Sequence, residues 1–363
     1  MKYQLVNQNN ALEKLCTRLS TKSAISIDTE FIRIRTYYPK IGLIQLFDGE
    51  ILALIDPLTI SDWGCFEAVL QNKSQQKYFH ACSEDIDVFK HKFTCIPEPL
   101  WDSQILAAFL DNGLSTSYAN LVLKYLNVTL TKSETLTNWL VRPLSEKQLH
   151  YAAADVYYHL PLMNELIDRV KAKGWREAAK EECHSMVLKK LDTITPEKAY
   201  LSIKNVSQLK GPQLNRLQRL ASWRLNYARQ HDIAVNFVVP EILLWKIARC
   251  NPTSLAELKA LGMHGKEIRL YASIILALLK QPIQNVLPPV KIPIDYGNYK
   301  IMAKHLKESV SKIAGETGLD ESILLSRRHI NHYVEWINGT NTTTIPEIVS
   351  GWRAPLFHAY LEK

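Results

Sequence analysis

No CxxC pair occurs among the six cysteines (16, 65, 82, 95, 183 and 250), which are scattered along the chain. That scatter argues against a cysteine zinc site and a disulfide framework, and it suits a reducing cytoplasm. Long apolar runs are missing as well. Stretches such as IILALL (274–279) fall far short of the roughly 20 residues that span a bilayer, and the opening MKYQLVNQNN has no apolar segment of the secretory type. A cytoplasmic protein that makes no use of a membrane is the expectation. No long coiled-coil pattern is visible, and a monomer is expected.

With 363 residues, 47% hydrophobic and 22% charged, the chain reads as a folded protein of two or three domains. The net charge of +8 is unevenly spread: residues 1–160 carry 15 basic and 17 acidic residues, whereas 161–363 carry 29 and 19. A near-neutral first part followed by a basic one points to a polyanionic partner, nucleic acid being the commonest.

The first 110 residues mix strand and helix signals. AISIDTEF (24–31) alternates apolar and polar residues, IGLIQLFDGEILALIDP (41–57) reads as a hairpin around Asp48-Gly49, and KYFHA (77–81) is a third strand candidate. Helical patterns follow at 84–92 and 117–126. Ser145 with Gln148 forms a capping-box pattern opening a further helix, which Pro161 should kink or end. A small mixed sheet flanked by helices is implied. After about residue 200 strand signals nearly vanish. Leu214, Leu217, Leu220, Ala221, Leu225 and Ala228 form one helical stripe, Pro240 suits a first helical position, and Ser254 with Glu257 repeats the capping pattern. A bundle of about five short helices results. QNVLPPVKIP (284–293) reads as an extended joint, beyond which 321–336 resembles 239–258 and 345–357 resembles 254–268, a second copy of the bundle.

Asp28 and Glu30 lie two apart and so project from the same face of a strand. Like charges that close repel unless a cation lies between them, although a lone DxE is ordinarily a solvent-facing edge. Asp85 falls in the first turn of a helix, where the dipole alone favours an acid. Glu84 and Asp87 read as ordinary surface acids, and His80 as a satisfied core histidine. In LHYAAADVYYHL (149–160), Tyr151 and Asp155 stack on one helix face, and the three alanines between them leave clearance for close approach. Tyr157 and Tyr158 read as packing. Together, the acids at 28, 30, 85 and 155 suffice for two divalent ions about 3.5–4 Å apart, the arrangement of two-metal phosphodiester hydrolysis, with a phenol placed to aim or deprotonate water.

SIDTEF, HACSED and YAAADV match, in order and spacing, the three motifs of the DEDD exonuclease superfamily, with the tyrosine form of the third. IGLIQL, WDSQILAAFL and WLVRPLSEKQLHYAAADV sharpen this to the ribonuclease D family, and the helical bundles resemble its helicase-and-RNase-D C-terminal (HRDC) domains. The resemblance covers nearly the whole chain. It implies an α/β ribonuclease H-like exonuclease domain over 1–200, followed by two small all-α bundles over 208–285 and 295–363. It further implies Asp28, Glu30, Asp85 and Asp155 as ligands of two Mg²⁺ or Mn²⁺ ions, with Tyr151 positioning the nucleophilic water. The implied activity is hydrolytic 3′→5′ trimming of RNA, notably tRNA precursors, with release of 5′-monophosphates. Cys82 stands where relatives often carry glycine or another small residue, and the second bundle diverges more, so its RNA-binding role stays open.

Arg33, Arg35 and Lys40, with Tyr37 and Tyr38, form a basic and aromatic stretch suited either to phosphates and a stacked base or to a plain solvated loop. Gln45 reads as reaching the cleft or as an exposed strand residue, Arg142 as a phosphate contact, Trp139 as packing. GMHGK (262–266) offers Lys266 at a helix start or is a plain turn. Two other readings stand beside the exoribonuclease: a DNA exonuclease using the same acids, and a silent RNA-binding scaffold, which the intact acid set does not favour. Removal of 208–363 is expected to leave a foldable nuclease with weaker, less salt-sensitive RNA binding.

Overall fold

The structure, a computed structural model, describes residues 1–93, 95–110, 112–130, 137–283, 285–290, 296–339 and 343–361. The chain divides into two compact units, one of Met1–Ile32, Pro39–Leu191 and Pro293–Lys363, the other of Arg33–Tyr38 and Asp192–Ile292. The segment read from sequence as a third domain therefore shares a unit with the first.

The first unit is built on six strands, β1 (Gln4–Val6), β2 (Ala24–Ile32), β3 (Lys40–Phe47), β4 (Leu52–Ile55), β5 (Gln76–Phe79) and β6 (Leu100–Asp102), in the order β1-β4-β3-β2-β5-β6. β3 pairs antiparallel with β2 and β4, while β1–β4, β2–β5 and β5–β6 are parallel. The expected hairpin is β3–β4, turned by Asp48, whose Oδ1 accepts from the backbone of Glu50 at 2.8 Å and Ile51 at 2.6 Å. β1 and β6, three residues each, are too short to carry a periodic signal.

Helices α1 (Asn9–Leu19), α2 (Gly64–Gln71) and α3 (Ser83–Lys92) bury their apolar faces with Ile25 and Ile27 of β2. Strand alternation then puts Ser26, Asp28 and Glu30 on the opposite face. The chain continues through α4 (Ser103–Ala108), α5 (Tyr118–Leu126), α6 (Glu146–Tyr157), α7 (His159–Ala172) and α8 (Arg176–Leu191). α6 opens on the expected capping box, with Ser145 Oγ accepting from Gln148 N at 3.2 Å and Gln148 Oε1 from Ser145 N at 3.0 Å. The break falls at Tyr158, so Pro161 sits in the first turn of α7, where its missing N–H removes no helical bond.

In the second unit, α9 (Pro212–Gln230), α10 (Val235–Val238), α11 (Glu241–Cys250), α12 (Leu255–Ala260) and α13 (Gly265–Lys280) form the expected bundle, with every residue of the 214–228 stripe buried. Pro240 is the N-cap of α11 rather than its first helical residue. Of the proline-rich joint, 285–290 has no regular secondary structure, and 284 and 291–293 lie outside the described residues.

The remaining helices, α14 (Tyr296–Thr317), α15 (Glu321–Leu324), α16 (Arg327–Ile337) and α17 (Ala354–Leu361), return to the first unit. Their Leu306, Val310, Ile323, Val334 and Phe357 share one hydrophobic cluster with Leu106, Phe109, Leu166 and Cys183. A nuclease cut at 208 would lose 11 of the 28 buried residues of that cluster, which counts against the expectation that it folds unaided. Among the described residues, no helix is long and apolar enough to cross a membrane.

Candidate active site and metal centre

β2 and α6 bring three acids together. One carboxylate oxygen from each of Asp28, Glu30 and Asp155 lies within 4.8 Å of the others, the only such group of His, Cys, Asp or Glu among the described residues. Asp28 stands opposite Gln45 on β3, and the register slips just after Glu30, so the pair ends the regular part of the strand. Crowding and burial both disfavour the charged forms. Burial, then the charge of Asp155, pushes the Asp28 carboxyl up to about 8. Burial, then Asp28, Asp155 and Asp85, pushes Glu30 up to about 10. Burial also carries Asp155 up to about 7 against the opposing hydrogen bond from Tyr151. Three hard oxygen donors that cannot all ionise without a counter-charge fit a divalent cation.

Asp85 lies beside this group, close enough for its charge to act on Glu30 and that of Asp28 to act on it. It is buried in the first turn of α3, where the Thr29 hydroxyl donates to its Oδ1. Burial and the charge of Asp28 raise its carboxyl well above the usual range. Glu84 and Asp87 pair with Lys190 of α8 at 3.4 and 3.1 Å, as befits surface acids.

Tyr151 and Asp155 do share a helix face, and both line a cavity of about 570 Å³ with Asp28, His80, Tyr118 and Tyr158. The alanines between them divide their work. Ala152 packs against Leu43, Leu54 and Trp139, and Ala153 against Phe47 and Leu52, letting α6 lie close on the sheet. Only Ala154 lines the cavity, so clearance for a ligand is one alanine's part rather than three. Tyr158 also differs from expectation, facing the cavity instead of serving packing alone; its spacing, three residues after Asp155 and seven after Tyr151, was the available signal. Trp139 is buried as expected, its backbone carbonyl 2.5 Å from where a Cβ on Gly42 would stand.

The RNA-contact candidates fare unevenly. Arg142 is fully engaged: Nε and Nη2 donate to Asp56 at 2.6 and 2.7 Å, Nη2 also to the Gly42 carbonyl at 2.6 Å, and Nη1 to the carbonyls of Trp139 and Val141 at 2.8 and 2.9 Å. All five guanidinium protons are spent inside the fold, which removes it as a phosphate contact. Gln45 is wholly buried with its amide enclosed, so it meets neither the solvent nor an RNA chain. Lys40 is exposed at the start of β3.

Within the second unit, Arg33 and Arg35 are exposed. Arg33 Nε donates to the Tyr37 carbonyl at 3.2 Å, and Arg35 lies 6.0 Å over the Phe237 ring. Tyr37 is not offered to a base. Arg229 covers its ring at 5.7 Å and donates to its hydroxyl at 3.0 Å. Tyr38 N donates to Asp232 at 2.9 Å. Lys266 is exposed in the first turn of α13, where Glu267 already accepts from His264 N at 2.9 Å.

Known proteins match along the whole length. A 3′-5′ exonuclease family model covers residues 3–171, an HRDC domain model 213–279, and a ribonuclease D C-terminal HRDC domain model 297–361. Ribonuclease D of Musicola paradisiaca is 46% identical over 362 residues, 98% of this chain and 97% of that protein. Ribonuclease D of Escherichia coli is 44% identical over 365 residues, covering 98% and 96%. The crystal structure of Escherichia coli RNase D, an exoribonuclease involved in structured RNA processing, aligns with a TM-score of 0.96 over 99% of this chain and 97% of that one, at 44% identity.

Proposed function

The chain belongs to the ribonuclease D family and is a 3′→5′ exoribonuclease, and from that premise we propose that Asp28, Glu30, Asp85 and Asp155 hold two divalent ions, Mg²⁺ or Mn²⁺, while Tyr151 aims the water that cuts the terminal phosphodiester. The observation that carries this reading is the meeting of Asp28, Glu30 and Asp155 beside Tyr151 in one cavity. Asp85 joins them by releasing the Thr29 hydroxyl.

Bound there, divalent ions supply Lewis-acid stabilisation of the charge that builds on the phosphodiester. The protein's own part is orientation. Asp155 accepts a hydrogen bond from the Tyr151 side chain, which fixes the phenol next to the site of attack. Water adds to phosphorus, the bond to the 3′-oxygen of the preceding nucleotide breaks, that oxygen takes up a proton, and a nucleoside 5′-monophosphate leaves.

Function divides over 1–200 for chemistry, 208–285 for RNA binding and 295–363 for a divergent HRDC-like extension. The exposed Arg33, Arg35, Lys40 and Lys266 contact RNA phosphates. The substrates are structured RNA 3′ ends, tRNA precursors foremost. The chain acts as a monomer, and its free cysteines support placing it in a reducing cytoplasm. The test is a time course on 5′-labelled, 3′-extended tRNA and matched DNA, with Mg²⁺ or EDTA. Stepwise 3′ shortening of the RNA alone, abolished by EDTA and by Asp28→Asn or Asp155→Asn, is expected; full activity in either variant overturns the assignment.

A further inference from the structure

We propose that His80 is a specificity-determining residue, whose Nε2 hydrogen-bonds a ribose 2′-hydroxyl on one of the last two nucleotides of the RNA. This rests on the reading of the Asp28–Asp155 cavity as the active site.

His80 lines that cavity, and its ring is held from behind by a chain of buried groups. Nδ1 meets Ser103 Oγ at 2.8 Å, Ser103 Oγ meets His159 Nε2 at 3.0 Å, and His159 Nδ1 meets Ser26 Oγ at 2.6 Å. Ser26, Ser103 and His159 are all essentially inaccessible. Tyr118 braces the imidazole, ring centroids 5.5 Å apart, and is itself tied to the Ala154 carbonyl through its hydroxyl at 3.1 Å. The backbone after His80 is fixed too: Ala81 adopts φ +53°, and the Asp102 carboxylate accepts from Ala81 N at 3.1 Å and Cys82 N at 2.9 Å. A histidine clamped on one nitrogen presents the other as its working atom.

The clamp also selects the ligand. With Ser26 donating inward, protons order along the chain so that His80 carries hydrogen on Nε2. With the order reversed, Nε2 is a bare acceptor. Both orders keep the imidazoles neutral, in keeping with burial, which lowers the basicity of His80 and pushes His159 down to about 3. A phosphate oxygen only accepts, and base edges change from nucleotide to nucleotide. A sugar hydroxyl donates and accepts, so it matches either order on every nucleotide, and the 2′-hydroxyl is the one that separates RNA from DNA.

The test is a cycle of kcat/KM values for wild type and His80→Ala on an all-ribose oligonucleotide and on versions with a single 2′-deoxy at the last nucleotide, a single 2′-deoxy at the one before it, or a 3′-deoxy end. His80→Ala on all-ribose RNA is expected to lose about 3- to 10-fold, as does one of the 2′-deoxy changes in wild type. The two losses should not add when combined. Ser103→Ala, which frees the ring without touching the cavity, should weaken the same preference and guards against a folding defect in His80→Ala. Additive losses for both 2′-deoxy substrates, no loss, or coupling to the 3′-deoxy end alone would overturn the proposal. Asp155→Asn keeps the two readings apart: activity retained in that variant sinks the active-site assignment, whatever His80 does.

Discussion

The two helical segments share a sequence pattern but keep different company. The first, α9–α13, closes a core of its own, in which Leu214, Leu217, Leu244 and Ile275 pack with Tyr37 at the margin. The second, α14–α17, has no separate core: its apolar side chains merge with those of α4, α7 and α8. Polar pairs fasten the same seam. Arg353, 4% exposed at its side chain, meets Glu182 of α8 at 2.7 Å, and Glu347 accepts from Lys189 of α8 at 2.8 Å and from His329 at 3.0 Å. One pattern thus serves once as a self-contained module and once as a buttress of the catalytic unit. The module keeps an excess of basic residues, while the buttress spends charge on docking.

Removing 293–363 should have the largest effect. It strips partners from Leu106, Phe109, Leu166 and Cys183, and at about 1.5–3 kcal/mol for each large apolar side chain the loss rivals a typical total stability of about 5–15 kcal/mol. Near-ultraviolet circular dichroism should lose the contribution of the first unit and keep that of the α9–α13 bundle, whose core is separate. Residues 192–292 expressed alone should unfold in one cooperative transition. A truncated nuclease as stable as the full chain would break the comparison.

Arg353→Met comes next, because it leaves the Glu182 carboxylate buried without its counter-charge, at a cost of about 3–5 kcal/mol in urea unfolding. Arg249→Met in the first bundle, where the exposed guanidinium lies over the ring of Trp245 at 5.2 Å, should cost no more than about 1 kcal/mol. Equal losses would erase the distinction.

Acid should separate the two segments as well. Burial alone would raise the Glu347 carboxyl, but hydrogen bonds from His329 and Lys189 outweigh it and hold it well below the usual range. A carboxyl lowered on folding stabilises above its unfolded value, about 4.3, and that contribution is lost as pH falls through the folded one. The melting temperature of the full chain should therefore drop below about pH 4, and Glu347→Gln should flatten that drop. An unaltered acid limb in the variant would count against the docking role.

The smallest effect belongs to Lys266→Ala. One phosphate contact fewer should weaken RNA binding across sequences and lower the salt slope by about one. An unchanged slope would leave Lys266 without a phosphate.

Local chemistry was legible in the sequence. The i, i+2 acids on β2, the Ser145–Gln148 box and the leucine stripe of α9 follow from spacing alone, and each formed as written. What spacing does not carry is which face of an element meets a distant one. Arg142 looked like a phosphate ligand because its partner Asp56 lies 86 residues away, and Gln45 looked reachable because strand alternation does not say which face a helix will cover. The two nearer alanines of YAAAD serve the sheet for the same reason. His80 was set aside as a core residue, since its clamp comes from Ser26, Ser103 and His159, scattered over 133 positions. The docking of the second bundle is equally silent: Glu182 and Arg353 stand 171 residues apart.

The central claim is that Asp28, Glu30, Asp85 and Asp155 form a divalent-ion site, and Mn²⁺ binding followed by electron paramagnetic resonance tests it most directly. Wild type should take up two Mn²⁺ per chain, Asp28→Asn and Asp155→Asn should lose that uptake, and Arg142→Lys should keep it. Undiminished Mn²⁺ binding by both acid variants would contradict the account.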